Sequence, residues 1–337
     1  MLQLLTEKPM SLVMMNEKDP AITQPNEVLV KVMAAGICGS DMHIYHGTSP
    51  VATYPRVMGH EIVGVVAETG SGVSRVKTGD HVIVDQIVAC GECYACRVKR
   101  PNVCSNLKVR GVHIDGGYRE YLTVEENALH ILPKDLPFTE AVMLEPASIA
   151  FQVSSRAEIT KDDTVFILGS GALGKSLIRA VLLTGAQIIA ADTSQARLKE
   201  AAELGVKYCI NSKEENLSEK LREYTTWGPS VSIDAAGFAE SLALLVDVTC
   251  TAGRIITTGF LDAQSEVQQF KITAKELDIR GSRLQNKKIA EVIAACRAGK
   301  ISFTGAVSHV IPFSEAVQAF QMIDSGKEDV KKAVLAF

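Results

Sequence analysis

A two-domain α/β chain, one domain a barrel-like antiparallel β-structure and the other a doubly wound parallel sheet, is predicted by three observations. Between Glu27 and Val84, short β-branched runs alternate with glycine. After Pro146 the rhythm changes to strand, then helix, repeatedly. Beyond Ser282 a helix–strand–helix–strand tail follows, which we assign back to the first domain. The early runs VLVKVMAAGIC, EIVGVVAETG and DHVIVDQ read as antiparallel strands, and no long helix is expected among them. In the second segment TVFILGSG leads into ALGKSLIRAVLLTGA, then QIIAADTS, a helix around Arg197 to Leu204, and the apolar runs VSIDAAG, GRIITTGF and LDIRGS. Parallel strands need crossover connections, and the helical runs supply them. The tail reads as a helix from Lys287 to Ala298, a strand near Val307 to Ile311, a helix from Ser314 to Ser325 and a last strand, KAVLAF. The expected domains are residues 1–145 with 284–337, and residues 146–283, hinged near Glu145 to Ile149 without a low-complexity linker.

With 337 residues, 47% apolar and 5% aromatic, the chain has enough material for two packed cores. Its 35 basic and 39 acidic side chains leave a net charge of -4, and no basic block exceeds pairs such as Lys287 and Lys288. That pattern argues against nucleic-acid or anionic-membrane partners and for a small-molecule ligand. The amino terminus, MLQLLTEKPM, lacks a basic region followed by an apolar run, and no stretch approaches the ~20 apolar residues of a bilayer span. A cytoplasmic location is therefore expected, where eight cysteines favour metal ligation over disulfides.

Cys90, Cys93, Cys96 and Cys104 are separated by two, two and seven residues in a turn-rich lobe, residues 88–106. One tetrahedral zinc can collect all four thiolates. A site closed by sulfur has no open position, so this zinc should stabilise a loop. Gly169, Gly171 and Gly174 form G-x-G-x-x-G between a strand and a helix, the context a dinucleotide fingerprint requires. The first glycine permits the turn, the second admits the pyrophosphate, the third packs helix on strand, and the helix N-terminus offers N–H groups to phosphate. Asp192, closing QIIAAD, can accept from ribose hydroxyls and would repel a 2′-phosphate, which favours NAD over NADP. Arg197 is placed for a ribose or adenine-edge contact, although a guanidinium there could also receive the extra phosphate. A glycine-rich turn of another Rossmann-like fold, such as a methyltransferase, is the bland alternative.

GICGSDMHIYHG, from Gly36 to Gly47, and GHE, from Gly59 to Glu61, are where the sequence resembles a known family. Together with the sulfur lobe and the fingerprint, in that order along essentially the whole chain, they look like the zinc-dependent medium-chain alcohol and polyol dehydrogenases. The resemblance implies a GroES-like antiparallel β-barrel catalytic domain joined to a Rossmann domain, with NAD and two zinc ions per chain. It implies Cys38 and His60 as catalytic-zinc ligands and Glu61 as a direct or exchanging one. Glu145, in MLEPAS, falls where the alcohol branch has cysteine and the polyol branch glutamate, so the third protein ligand stays open between Glu61 and Glu145. Zinc is needed because an alcohol is a weak acid; water on zinc falls from about 15.7 to about 7 in pKa. Ser40 can hydrogen-bond the substrate oxygen, His43 can pass the proton toward solvent, and Asp41 would fix the tautomer of His60.

Cys209, Cys250, Cys296, His81, His130 and His309 carry no motif and are read as core. His46, His113 and Asp115 lie between a cleft lining and a solvated loop. YPRVMGHE, GVHIDGGYREYL, EPASIA and KELDIRGSRLQN look most like bacterial sugar-acid dehydrogenases of the L-gulonate, L-galactonate and L-idonate 5-dehydrogenase type, including starvation-sensing-like relatives. Their substrates carry a carboxylate, for which Arg283 and then Arg119 are candidates, each with a surface or domain-interface salt bridge as the alternative. Ile44 stands where animal sorbitol dehydrogenases tend to have tyrosine. The resemblance thus implies NAD-dependent oxidation of a secondary hydroxyl on an aldonate, for instance L-gulonate to D-fructuronate. A neutral polyol, polyol phosphate or L-threonine dehydrogenase is the nearest alternative, and a zinc- and NAD-binding regulator without turnover is the distant one. Relatives pair through edge strands, so LDIRGS is a candidate seam of a homodimer or homotetramer.

Overall fold

A computed structural model describes residues 1–260, 264–327 and 330–337. The chain forms two compact units, Met1–Glu145 with Val292–Phe337, and Pro146–Glu291.

In the first unit, strands run in the order Leu129–Ile131, His81–Val84, Glu61–Thr69, Glu27–Ile37, Ala333–Ala336 and His309–Pro312, with Tyr121–Glu125 also paired to Glu27–Ile37. Alternation sets the faces. Val28, Val30 and Val32 point inward with Ile62, Val66, Val82, Val84, Leu122 and Val124, burying one continuous core. Each such side chain contributes about 1.5–3 kcal/mol on burial. Leu2–Lys8 pairs with Ser11–Asn16 and Arg56–Val57 in a smaller sheet that the sequence did not announce. The expected absence of a long helix between Glu27 and Val84 holds, but GSDMHIYH forms a short one, Gly39–His46, ended by Gly47 in the left-handed conformation.

In the second unit six parallel strands lie in the order Tyr208–Asn211, Gln187–Asp192, Thr164–Leu168, Val231–Asp234, Arg254–Thr257 and Asp278–Gly281. The first strand in sequence is central and the order reverses beside it, which opens a crevice at the carboxyl end of Thr164–Leu168. Both faces are covered. Val165 and Ile167 pack with Val153, Leu177 and Ile178, whereas Phe166 packs on the other side with Ile189, Ile210, Leu245 and Ile255. Sequence reading placed the helices after the first two of these strands, but missed Tyr208–Asn211, Leu217–Tyr224, Ser241–Val248 and Gln269–Lys275. Leu217–Tyr224, for one, sets Leu217, Leu221 and Tyr224 on one face against the core, a helical spacing that sequence reading passed over.

Arg254 ties this unit together. Its Nη1 donates to the carbonyls of Ala157 (2.6 Å) and Glu158 (2.7 Å) at the end of helix Leu144–Ala157, and its Nη2 pairs with Asp163. Burial would raise the Asp163 carboxyl, but donation from Thr160 and Ser230 and the Arg254 charge hold it below the ordinary aspartate value. Its contribution is therefore present above the unfolded pKa, about 3.9, and lost as pH falls through the lower folded value. Asp163→Asn should cost about 1–3 kcal/mol at neutral pH. Thermal unfolding of both proteins should show a Tm gap at pH 7 that closes as the buffer is taken to about pH 3; a gap independent of pH would reject the assignment.

Candidate functional site

Strand register builds the first cluster. Ala333 pairs with Ile37 and Val334 with Gly36 on one side of the central strand, while Glu61 pairs with Gly36 on the other. Glu61 and Lys332 thus lie on opposite flanks of one glycine, and the side chains meet across it. Their carboxylate–ammonium contact is buried. A Cβ on Gly36 would fall 1.8 Å from a Glu61 carboxylate oxygen, so only glycine leaves the passage open. Burial would lower the Lys332 pKa, but the charges of Glu61, Cys38 and Glu145 raise it, so the ammonium stays protonated.

Cys38, His60 and Glu61 bring one sulfur, one ring nitrogen and one carboxylate oxygen within 4.8 Å of one another. Cys38 is the N-cap of helix Gly39–His46, and its backbone N–H donates to Asp41 Oδ2 at 2.9 Å. Asp41 is fully buried. It also accepts from the Tyr118 hydroxyl at 2.8 Å, and its Oδ1 lies 3.5 Å from His60 Nδ1. Burial would lower the His60 pKa, but Asp41 outweighs it and raises it well above the ordinary range. With Nδ1 turned to Asp41, Nε2 is left to face a metal. His60 also depends on a glycine: Gly59 has φ +91°, and a Cβ there would strike the Tyr118 ring at 2.6 Å.

Glu145 lies outside that three-residue group but is buried beside it, accepting from Gln86 Nε2. Its carboxyl is pushed up to about 7, first by burial, with His60 and Lys332 opposing and Glu61 adding to the rise. Ser40 and His43 are exposed, three apart on one helix face, and His43 Nδ1 lies 3.0 Å from Thr48 Oγ1. Gln86, Tyr118 and Lys332 escaped sequence reading. GGY inside GVHIDGGYREYL was a usable signal for Tyr118; nothing local marks Lys332, which acts from 271 residues away.

The sulfur lobe is drawn tight. Cys90 and Cys104 sulfurs lie 3.4 Å apart, Cys93 and Cys96 3.6 Å, and Cys93 and Cys104 3.8 Å. Tetrahedral zinc with bonds of about 2.3 Å spaces its sulfurs by about 3.8 Å, so the quartet fits that ion. N–H groups of Ser105 and Cys96 hold the Cys93 thiol down at about 6.

In the second unit Gly169 has φ +100°, and a Cβ on Gly174 would lie 2.0 Å from the Gly169 carbonyl oxygen. Beside Gly171 there is open space where a Cβ would stand, and the Ser170 hydroxyl is buried without a hydrogen-bond partner among the described residues. This cradle fits a pyrophosphate. Asp192 accepts from Ser170 N (2.8 Å) and Ser194 N (2.9 Å), with Arg197 Nη1 3.7 Å away.

Of the two arginines proposed for a carboxylate, Arg119 lies 2.9 Å from Asp115, which Arg56 also holds, and Arg283 lies over the Phe260 ring at 4.7 Å. His46 pairs with Asp324 at 2.6 Å, and His113 Nδ1 accepts from Val109 N at 3.1 Å. Cys209, Cys250 and Cys296 join neither metal-ligand group found among the described residues. No helix of those residues is long and apolar enough to cross a membrane.

Two family models match, an alcohol dehydrogenase GroES-like domain over residues 24–134 and a zinc-binding dehydrogenase over residues 172–298. Starvation-sensing protein RspB of Escherichia coli K12 is 38% identical over 339 residues, spanning 100% of this chain and 99% of its own. L-galactonate-5-dehydrogenase of the same strain is 31% identical, spanning 99% and 98%. The crystal structure of RspB from Escherichia coli CFT073, complexed with NADH, superposes with a TM-score of 0.94 at 37% identity over 100% of this chain and 99% of that one.

Replacing Asp41 with asparagine should leave the fold intact and weaken metal retention at Cys38 and His60 by about 10–100-fold. Competition with a chromogenic chelator measures it, and unchanged retention would refute the orienting role.

Proposed function

Because the chain belongs to the zinc-binding dehydrogenases of the alcohol dehydrogenase family, an NAD-dependent oxidoreductase family, we propose that its substrate is a sugar acid oxidised at a secondary hydroxyl. L-gulonate, giving D-fructuronate, is our first candidate. The similarity to L-galactonate-5-dehydrogenase and to 2-dehydro-3-deoxy-L-galactonate 5-dehydrogenase, 30% identical over 92% of the chain, supports this class. Sorbitol and L-threonine 3-dehydrogenases are similar at 32% and 31%, over 92% and 90% of this chain, and keep neutral polyols and threonine as the second reading.

The observation that carries the chemistry is the convergence of Cys38, His60 and Glu61 around a point large enough for one ion. Zinc held there would acidify the substrate hydroxyl and polarise the product carbonyl. Cys38 and His60 would hold it, with Glu61 as the third protein ligand in our reading, since its oxygen joins that group while Glu145 is turned to Gln86. Lys332, whose ammonium touches the Glu61 carboxylate, would compete with the metal for it. Ser40 would hydrogen-bond the reacting hydroxyl and receive its proton, and His43, one helical turn on, would pass it to solvent. NAD would accept the hydride; the glycine cradle and Asp192 would hold the dinucleotide, with Asp192 selecting against a 2′-phosphate and Arg197 bordering the adenine side. The sulfur quartet would carry a second zinc that fixes the lobe. The edge strand Asp278–Gly281 is our candidate seam for a homodimer or homotetramer.

NADH formation on epimeric hexonates, sorbitol and L-threonine tests the substrate class: turnover of an aldonate is expected, and turnover of sorbitol or threonine alone rejects it. Cys38→Ser should lower kcat by at least 10³-fold, a loss of about 4 kcal/mol. Metal analysis should fall from two zinc ions per chain to one; a fully active wild-type preparation holding zinc only among the four sulfurs would sink the mechanism.

A further inference from the structure

Arg110 is placed by two contacts with the catalytic segments. Its N–H donates to the Gln86 carbonyl at 3.0 Å, and the Gln86 side chain holds Glu145. Its neighbour Gly111 is pressed against Gly59, where an added Cβ would lie 2.6 Å from the Gly59 oxygen, and His60 follows directly. The Arg110 backbone is therefore bonded to the residue that holds Glu145, and its neighbour packs on the residue before His60.

Its guanidinium is partly buried and unpaired. Nε is buried without a hydrogen-bond partner, and among the described residues no carboxylate closes to ion-pair distance. Asp85 and Glu125 act on it only at longer range, and Arg119 adds like charge. Burial lowers the Arg110 pKa, with the Glu125 and Asp85 carboxylates opposing the fall. Arg119 differs in this respect, because Asp115 already offsets it.

We propose that Arg110 receives the carboxylate of the substrate and so sets the preference for sugar acids over neutral polyols. The inference rests on the sugar-acid reading above and deepens it. A planar carboxylate matches two parallel N–H groups of one guanidinium. The acidic Asp85 and Glu125 nearby temper the local charge, which suits a monoanion better than a phosphate dianion.

The test compares kcat/KM for an aldonate with that for the neutral alditol of the same carbon chain, in zinc-loaded enzyme with NAD. In Arg110→Gln the aldonate-to-alditol ratio should fall by about 10–100-fold, mostly through KM, the range for a lost charge-assisted hydrogen bond. Arg110→Lys, which keeps the charge but not the planar fork, should lower the ratio severalfold and serves if the glutamine variant does not fold. A wild-type ratio in a folded variant overturns the role of Arg110 and leaves the sugar-acid reading standing. Wild-type enzyme that oxidises the alditol and no aldonate overturns that reading instead. A loss confined to galactitol 1-phosphate as substrate overturns the choice of carboxylate.

Discussion

One missing side chain, at Gly36, lets the interior of the first unit hold charge. Three strands meet at this level, and the glycine between them allows the Glu61 carboxylate and the Lys332 ammonium to touch across the central strand. Burying an ion costs several kcal/mol after relaxation, and the penalty is offset only when each charge finds a partner. Glu61 has Lys332; Asp41 has His60, the Tyr118 hydroxyl and the Cys38 N–H. Glu145 accepts from Gln86, and burial drives its carboxyl toward neutrality.

This arrangement separates rigidity from adaptability. Asp41 is clamped by three groups from different segments, which fixes His60 and the start of the Cys38 helix together. Glu61, by contrast, faces an ammonium and a candidate metal point, two positions of comparable electrostatic appeal. The sulfur lobe has neither property: its four ligands close on one another and leave no place for substrate. Zinc would serve different ends in the two clusters, holding a loop in one and acidifying a hydroxyl in the other.

The cofactor half follows a simpler logic. A short strand buried on both faces ends at a glycine turn, and every feature that a pyrophosphate needs lies within a few residues of it. Local geometry suffices there, which is why the fingerprint was readable from Gly169, Gly171, Gly174 and Asp192. Asp41 entered through the family resemblance, and its contact with His60 was set by the fold.

Sequence alone determined what depends on near neighbours: the alternation that makes Val28, Val30 and Val32 a core face, the sulfur spacing, the glycine fingerprint, and the zinc-dehydrogenase resemblance carried by Cys38, His60 and Glu61. It left the short helix Leu217–Tyr224 unread, because an eight-residue stripe of Leu217, Leu221 and Tyr224 among charged residues is too brief to stand out from a loop. Tertiary structure decided what depends on pairing between distant strands. It brought Lys332 to Glu61, Tyr118 to Asp41 and Gln86 to Glu145, tied Arg119 to Asp115, and left the buried Arg110 Nε without a hydrogen-bond partner among the described residues. The physical reason is register: which charges meet in a buried sheet is set by how strands align, and the composition of any one strand carries no record of its partner's alignment.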